Sequence, residues 1–331
     1  MLEASVIIPT YNRKEILSRV IRYYQIQENP GCAFELVVID DGSTDGTEQL
    51  FTALSDETMW PGSPVLERHR ALILMVKSGL YRDEEAAVTG LKEGKLEVFI
   101  CYVKIKKSGR SIARNVGIGF SRYPLIIFAD DDIFVEPEFI KKHCAAHSPG
   151  DKLVVMGRVI HTRNLDDPLS ARWKLKDINR AFLSTGNASV LKSYLLEAGL
   201  LDERYSVYGW EDFDLGIHLQ EIGIRSVRMK IFGYHYEHPL KFLNPLLVYD
   251  KERERGRSAF YFYQSHPLKW VKRFTLVKSG VFKFIFCILG WNNWFLSREK
   301  IGFLKRLLLL IIRYKGYFDG LDEARRECLN L

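Results

Sequence analysis

Three consecutive carboxylates, Asp130, Asp131 and Asp132, follow directly on the apolar run Leu125-Ile126-Ile127-Phe128 and Ala129. Carboxylates this close repel one another, and the arrangement costs free energy unless water, a proton or a cation compensates it. A hard divalent cation does so well, because Mg²⁺ takes one or two carboxylates together with phosphate oxygens. The apolar run reads as a buried strand whose C-terminal end opens onto a crevice. Alone, the triplet is equally well a solvated acidic turn; its weight comes from what the chain carries at the ends of its other strands.

Ser5-Val6-Ile7-Ile8-Pro9 reads as a strand closing on the polar turn Thr10-Tyr11-Asn12-Arg13, followed by a helix with apolar Ile16, Leu17, Val20, Ile21 and Tyr24. Phe34 to Ile39 is a second buried strand, ending at Asp40-Asp41-Gly42-Ser43, and a short helix is expected from Thr44 to Leu54 with Ser, Thr and Asp in capping positions. This β-α-β-α order implies a parallel sheet with right-handed crossovers. Ligands of open α/β sheets bind beyond the C-terminal strand ends, where Tyr11, Asp40, Asp41 and the triplet would all lie. Neither a G-x-x-x-x-G-K-[ST] loop nor a G-x-G-x-x-G turn follows the first strand. Phosphates would therefore be held by a metal and by Lys or Arg. Tyr11 either stacks on a base or caps a strand edge, and Asp40 or Asp41 can accept from a base N–H.

Further along, strands are expected within Val65–Val76, at Val98–Val103 and at Leu153–Gly157. Helices are expected at Ser111–Phe120, Phe139–Ala146, Leu191–Ala198 and Phe213–Ile222, and Asp83–Lys95 reads as an exposed helix or insertion. Glu211 and Asp212 open the last of these helices, where acidic residues complement the dipole by default.

Five segments in order resemble family 2 glycosyltransferases: Ser5 to Arg13, Val37 to Thr47, Ala113-Arg114-Asn115-Val116-Gly117, the Asp130–Asp132 strand, and Gly209-Trp210-Glu211-Asp212. The resemblance covers about residues 4 to 240. It implies an α/β fold of the GT-A nucleotide-diphospho-sugar transferase type, with a mostly parallel central sheet flanked by helices. It further implies a nucleotide-sugar donor, with uridine diphosphate preferred, Mn²⁺ or Mg²⁺, and transfer with inversion. By position, Pro9, Tyr11 and Asp41 line the base pocket with Asp40 beside it, and Asn12 and Arg13 share that turn on the donor side. Arg114 faces the donor phosphates or ribose, Asp131 the ribose, and Asp132 the metal with Asp130 sharing. Asn187, in Ser184-Thr185-Gly186-Asn187-Ala188, stands near the donor sugar and acceptor. The resemblance gives the general base to Asp212, with Glu211 orienting the acceptor or serving in its place. His235 becomes the third protein ligand of the metal and His238 its runner-up.

With 47% apolar and 27% charged residues, the 331-residue chain is globular rather than disordered. Its five cysteines are dispersed, which argues against a disulfide framework or zinc site and suits a reducing compartment. No signal peptide precedes the first strand, so the expected location is cytoplasmic, peripheral on the inner face of the cell membrane.

The net charge of +7 is carried by the C-terminal segment. Pro267 to Phe318 holds eleven Lys and Arg against Glu299 alone, leaving 37 basic and 40 acidic residues elsewhere. Trp270, Phe274, Trp291, Trp294 and Phe303 interleave with these charges, and no uncharged run reaches the roughly 18–20 residues of a spanning helix. The division expected is a catalytic domain over 1–245 and a basic, aromatic-rich helical extension over 246–331. That extension would lie on an anionic membrane surface near a glycan or lipid-linked acceptor, or pack on the core with a solvated basic face. No nucleic-acid recognition motif accompanies it. Two other function classes compete: a membrane-associated nucleotide-sugar-binding protein without turnover, and a nucleotidyltransferase, which would show a first loop rich in glycine and lysine.

Overall fold

Alternation along Ala4–Thr10 (β1) explains why it becomes the middle of a sheet. Val6 and Ile8 point into one apolar layer and Ile7 into another, all fully buried. The first layer is covered by Lys14–Gln25 (α1), whose Leu17, Val20, Ile21 and Tyr24 fall at helical spacing. The second is covered by Arg110–Phe120 (α3 below) through Ala113, Val116 and Ile118.

The structure is a computed structural model describing residues 1–56, 63–81, 98–179, 181–205, 208–237, 244–277 and 302–329. The segment 83–95, expected as a helix or insertion, and His238 lie outside the described residues. Further strands are Phe34–Asp40 (β2), Ser55–Asp56 (β3), Ile73–Tyr81 (β4), Val98–Ile105 (β5), Leu125–Ala129 (β6), Ile133–Val135 (β7), Leu153–Thr162 (β8), Asn187–Leu191 (β9) and Arg225–Tyr236 (β10). Helices are Pro64–His69 (α2), Arg110–Phe120 (α3), Phe139–Ala145 (α4), Lys192–Glu197 (α5), Glu211–Glu221 (α6), Pro245–Ser265 (α7), Lys269–Phe274 (α8) and Gly302–Leu329 (α9).

Among the described residues one ten-stranded sheet runs β3-β4-β5-β2-β1-β6-β9-β8-β10-β7. The parallel set expected from the sequence forms its centre, with β5, β2, β1 and β6 all parallel, and β8 and β10 are parallel as well. Antiparallel β4 and β9 flank that centre, so the sheet is mixed.

Local chemistry explains three departures from the expected elements. Val65–Val76 divides into α2 and β4, because Pro64 at the first helical position preorganises a helix that buries Val65, Leu66 and His69. The turn after Asp45 tightens into a 3-10 helix, Thr47–Phe51, behind left-handed Gly46. Leu191 belongs to β9, and the helix begins one residue later.

The chain divides into two compact units, Met1–Glu203 with Asp212–Glu237, and Arg204–Glu211 with residues 238–331. In the second, α7 is capped by the Asn244 side chain accepting from Leu246 and Leu247, and it packs lengthwise on α9. Three glycines let the two backbones meet: a Cβ on Gly256 would lie 2.0 Å from the Tyr317 carbonyl oxygen, and one on Gly320 1.9 Å from that of Arg253. One on Gly316 would lie 2.5 Å from that of Tyr249. Arg253 grips Glu323 through Nε at 2.9 Å to each oxygen, Arg313 reaches Glu252 at 2.8 Å, and Tyr249 donates to Asp319 at 2.6 Å. Arg313 and Lys315, two of the eleven cations of the basic segment, are thus spent on intramolecular pairs with Glu252 and Asp319.

Candidate active site

The acidic triplet occupies the turn between β6 and β7, closed by Ile133 N donating to Asp130 O at 3.2 Å. Asp131 and Asp132 are buried; Asp130 is half-buried. Thr10 Oγ1, at the end of β1, donates to Asp131 Oδ2 at 2.8 Å, fixing the turn against the neighbouring strand. Arg13 Nη1 donates to Asp131 Oδ1 at 2.6 Å and also to Asp132 Oδ2. Arg114, on α3, donates through Nη2 to Asp130 Oδ1 at 2.9 Å.

Burial is the largest influence on both inner carboxylates. It pushes Asp131 up to about 6, with repulsion from Asp132 adding and Arg13 opposing. At Asp132 burial is outweighed by His235 and Arg13, which hold the carboxyl below its ordinary range. His235 Nε2 stands 3.4 Å from Asp132 Oδ1. Burial disfavours its cation, yet Asp132, Asp130 and Glu237 raise its pKa above the ordinary value. Two adjacent buried carboxylates with an imidazole alongside form a donor set suited to Mn²⁺ at least as well as Mg²⁺. His235 Nδ1 is also buried with no hydrogen-bond partner among the described residues.

The ends of β2 and β5 build the neighbouring wall. Asp40 is fully buried and structural in its contacts: Oδ1 accepts from Ser43 N and Oδ2 from Tyr102 OH, each at 2.7 Å. Asp41 gathers the loop after β5, accepting from Ser108 N at 2.6 Å, Gly109 N at 3.1 Å and Lys107 Nζ at 2.6 Å. Gly42, at φ +79°, permits that approach, since a Cβ there would lie 2.9 Å from Lys107 N. Tyr11 is exposed, and Lys107 Nζ lies 3.6 Å from its ring centroid. Asn12, with φ 51°, locks its turn to the Ser43–Thr44 loop through two 2.8 Å hydrogen bonds. Pro9 is half-buried at the end of β1.

The Arg114-Asn115-Val116-Gly117 segment now has a physical reading. Asn115 brackets the backbone of Leu201 and donates to Glu203 at 2.9 Å, while Gly117 lets α3 press on β1, where a Cβ would lie 2.6 Å from Ile7 Cγ2. His69 Nε2 shares Glu203 at 2.8 Å. The Glu203 hydrogen bond, ahead of opposing burial, raises His69; the same bond lowers Glu203. The contribution of His69 is thus complete below its ordinary 6.5 and fades as pH climbs through the raised value. That of Glu203 is complete above its ordinary 4.5 and fades as pH falls. Glu203→Gln is accordingly expected to lower the melting temperature most between about pH 4.5 and 6.5, with a smaller deficit at pH 9. A deficit that is flat from pH 5 to 9 in thermal melts would refute the ion pair.

Asn187 is placed differently from the rim residues. It is buried, donates to Arg158 O and Ile231 O at 3.1 Å each, and lies 3.0 Å from His143 Nε2, so its amide ties β9 to β8 and β10. The adjoining Gly186 does reach the triplet, where a Cβ would lie 3.4 Å from Asp130 Oδ2. A cleft of about 170 Å³ runs beside this loop, lined among others by Gly157, Arg158, Trp173, Asp177, Ser184 and Asn187.

Asp212, the second residue of α6, is half-buried, its Oδ1 accepting from Phe213 N at 3.0 Å. Glu211 is buried and groups with the second unit, where the preceding Gly209 (φ 105°) and Trp210 (φ 74°) make a sharp turn. That turn is held by Trp210 Nε1 donating to Arg255 O at 3.0 Å and by stacking on Phe262. Sequence reasoning missed Tyr102, Lys107, Ser108 and His161. Tyr102 lies within β5 and Lys107 and Ser108 in the loop after it, findable only by asking what lies across from the acidic end of β2.

The family profile described as Glycosyl transferase family 2 matches residues 5–72 and 82–193, a stretch that contains Thr10–Arg13, Asp40–Asp41, Arg114 and the whole triplet. The chain belongs to glycosyl transferase family 2. Among its relatives is an uncharacterized glycosyltransferase, YfnE, of Bacillus subtilis, 27% identical over 297 residues, covering 72% of this chain and 66% of that protein. The hyaluronan synthase of Pasteurella multocida is 23% identical over 299 residues, 77% of this chain and 26% of the synthase. The chain therefore spans less than two thirds of the length of these relatives. A crystal structure of S. aureus TarS 1–349 is similar at a TM-score of 0.46 and 17% identity, over 98% of this chain and 92% of that one. Within this family 2 chain, the profile ends before Glu211, Asp212 and His235.

Proposed function

We propose that this chain is an inverting, metal-dependent glycosyltransferase that moves a sugar from a nucleoside-diphosphate donor, preferably uridine diphosphate, to a hydroxyl of a glycan or lipid-linked glycan. The observation that carries the reading is the buried Asp131–Asp132 pair at the end of the central parallel strands, with His235 Nε2 3.4 Å from Asp132. Asp132 and His235 would hold a Mn²⁺ or Mg²⁺ ion, which when bound stabilises negative charge on the departing diphosphate. Tyr11 offers an exposed face for the base, with Asp41 and Lys107 shaping the wall behind it. Arg13, already drawn to both carboxylates, positions Asp131 toward the ribose and adds a cation beside the phosphates. Arg114 holds Asp130 at the edge of the same turn. Asp212 accepts the proton of the attacking hydroxyl, and Glu211 precedes it in the chain. Single displacement at the anomeric carbon inverts its configuration without a covalent intermediate. A glycan acceptor is supported by relatives such as the hyaluronan synthase.

A nucleotide-sugar panel read by thermal shift, with and without Mn²⁺, tests this reading. A uridine diphosphate sugar is expected to raise the melting temperature only with the ion present, and Asp132→Asn to remove that ion-dependent part. Stabilisation that ignores both ion and substitution would sink it.

No helix among the described residues is long and apolar enough to cross a membrane. Attachment to an anionic membrane surface is supported instead by α8, where Trp270 and Phe274 are exposed beside Lys269, Lys272 and Arg273. At about 1 kcal/mol per cation near such a surface, flotation with phosphatidylserine vesicles should show binding that salt weakens and that Trp270→Ala with Phe274→Ala reduces. Recovery with phosphatidylserine vesicles no greater than with neutral vesicles would rule it out.

A further inference from the structure

Strands β8 and β10 run parallel with His161 opposite His235, and Glu237 N donates to Thr162 O at 2.8 Å as the pairing continues. His161, His235 and Glu237 therefore present ligand atoms on one side of the sheet, all within 4.8 Å of one another. The two imidazole rings meet edge to face at 5.3 Å.

Each group is aimed by a further contact. His161 Nδ1 lies 2.7 Å from Asp177 Oδ1, and the other Asp177 oxygen accepts from Lys174 N at 2.8 Å. Burial opposes ionisation of Asp177, but the His161 hydrogen bond and the Lys174 N–H lower its pKa. A carboxylate on Nδ1 fixes the tautomer that leaves Nε2 with its lone pair, the arrangement that orients metal-binding histidines. That Nε2 stands 3.9 Å from Glu237 Oε1, too long for a hydrogen bond. Two ligands of a tetrahedral ion, each at roughly 2.0–2.2 Å, stand about 3.3–3.6 Å apart, so a small inward turn of either side chain brings this pair to that span. The other carboxylate oxygen, Oε2, faces Arg163 at 3.8 Å and Lys176 at 3.6 Å, which leaves Oε1 turned to the histidine.

We propose that His161, His235 and Glu237 form a divalent transition-metal site that loads an ion before any nucleotide arrives. Two imidazoles and one carboxylate favour Mn²⁺ or Zn²⁺ over Mg²⁺, which is reluctant to give up its water. The proposal deepens the metal reading above and rests on its use of His235. There, the donor's pyrophosphate completes the shell at Asp132. Here, the protein alone supplies three ligands, and Asp132 faces the same histidine from the donor side.

The test titrates Mn²⁺ into the full chain without nucleotide and follows free Mn²⁺ by electron paramagnetic resonance. About one ion per chain is expected to bind. His161→Ala and Glu237→Gln should each weaken binding at least tenfold, and the isosteric Asp177→Asn, which unfixes the His161 tautomer, by roughly 10–100-fold. Circular dichroism identifies any variant that has lost its fold, and Asp177→Asn then carries the comparison. Asp132→Asn should remove the ion-dependent stabilisation by uridine diphosphate. The proposal is overturned if the wild type binds no Mn²⁺ without nucleotide, or if the three variants bind as tightly as wild type. It is also overturned if Asp132→Asn alone abolishes that binding, a result that leaves the donor-metal reading standing. Retained nucleotide-free binding with no effect of Asp132→Asn on the nucleotide shift would instead uphold this site and remove that reading.

Discussion

Asp212→Asn is expected to cut sugar transfer by roughly 10²–10⁴-fold, the contribution of a positioned general base, while leaving donor affinity within a few-fold of wild type. The acceptor hydroxyl must shed its proton as its bond to the anomeric carbon forms, and an amide cannot take it. Asn preserves the shape of the side chain and can still accept from Phe213 N, a 3.0 Å contact in the first turn of α6, so the helix should survive. The split between turnover and binding is the diagnostic: transfer measured at saturating donor falls, and the donor dissociation constant does not. Near-wild-type turnover in Asp212→Asn would remove it as the base; a loss confined to Glu211→Gln would transfer the role to its neighbour.

The second large effect concerns stability. Gly320→Ala and Gly256→Ala should each destabilise the α7–α9 pair, although alanine is intrinsically better in a helix by about 0.8–1.0 kcal/mol. A Cβ 1.9 Å from the Arg253 carbonyl oxygen, or 2.0 Å from that of Tyr317, meets backbone rather than a side chain that can swing aside. The helices must separate, and overpacking of this kind costs about 1–3 kcal/mol or more. Separation also stretches the paired charges across the seam, Arg253 with Glu323 and Arg313 with Glu252. Guanidinium denaturation should show earlier unfolding in both variants. A midpoint equal to or above wild type would mean that α7 and α9 do not cross at these glycines.

The residues that could be read without a structure were those whose types are unusual for their position. Asp130 to Asp132 after a buried run, and Asp40-Asp41 after another, are costly enough to demand a reason, and the fold does bring both to one rim of the sheet. The parallel centre was legible for the same cause: β1, β2 and β6 are apolar on both faces. The antiparallel strands were not. β9 carries Asn187 and Ser189 inward, satisfied by His143 and by neighbouring backbone, so its burial depends on partners far away in sequence. Arg114 and Asn115 were legible as a motif but not in role, since Asn115 acts by bracketing a loop some 86 positions later. In the C-terminal segment, counting charges pointed to a basic, aromatic-rich helical extension. Gly316 and Gly320, four apart and matched to Gly256, signalled a helix crossing, and the ion pairs that surround it lie about 60–70 residues apart in sequence. His161 escaped notice because a lone histidine on a strand is ordinary; only the register with His235 gives it company.

Crystals grown with uridine diphosphate and Mn²⁺, measured at the manganese absorption edge, address the central claim most directly. The account predicts an anomalous peak at roughly 2.0–2.3 Å from an Asp132 oxygen and a His235 nitrogen, with the pyrophosphate on its open side and the base against Tyr11. Manganese and nucleotide bound together away from the turn between β6 and β7 would contradict it.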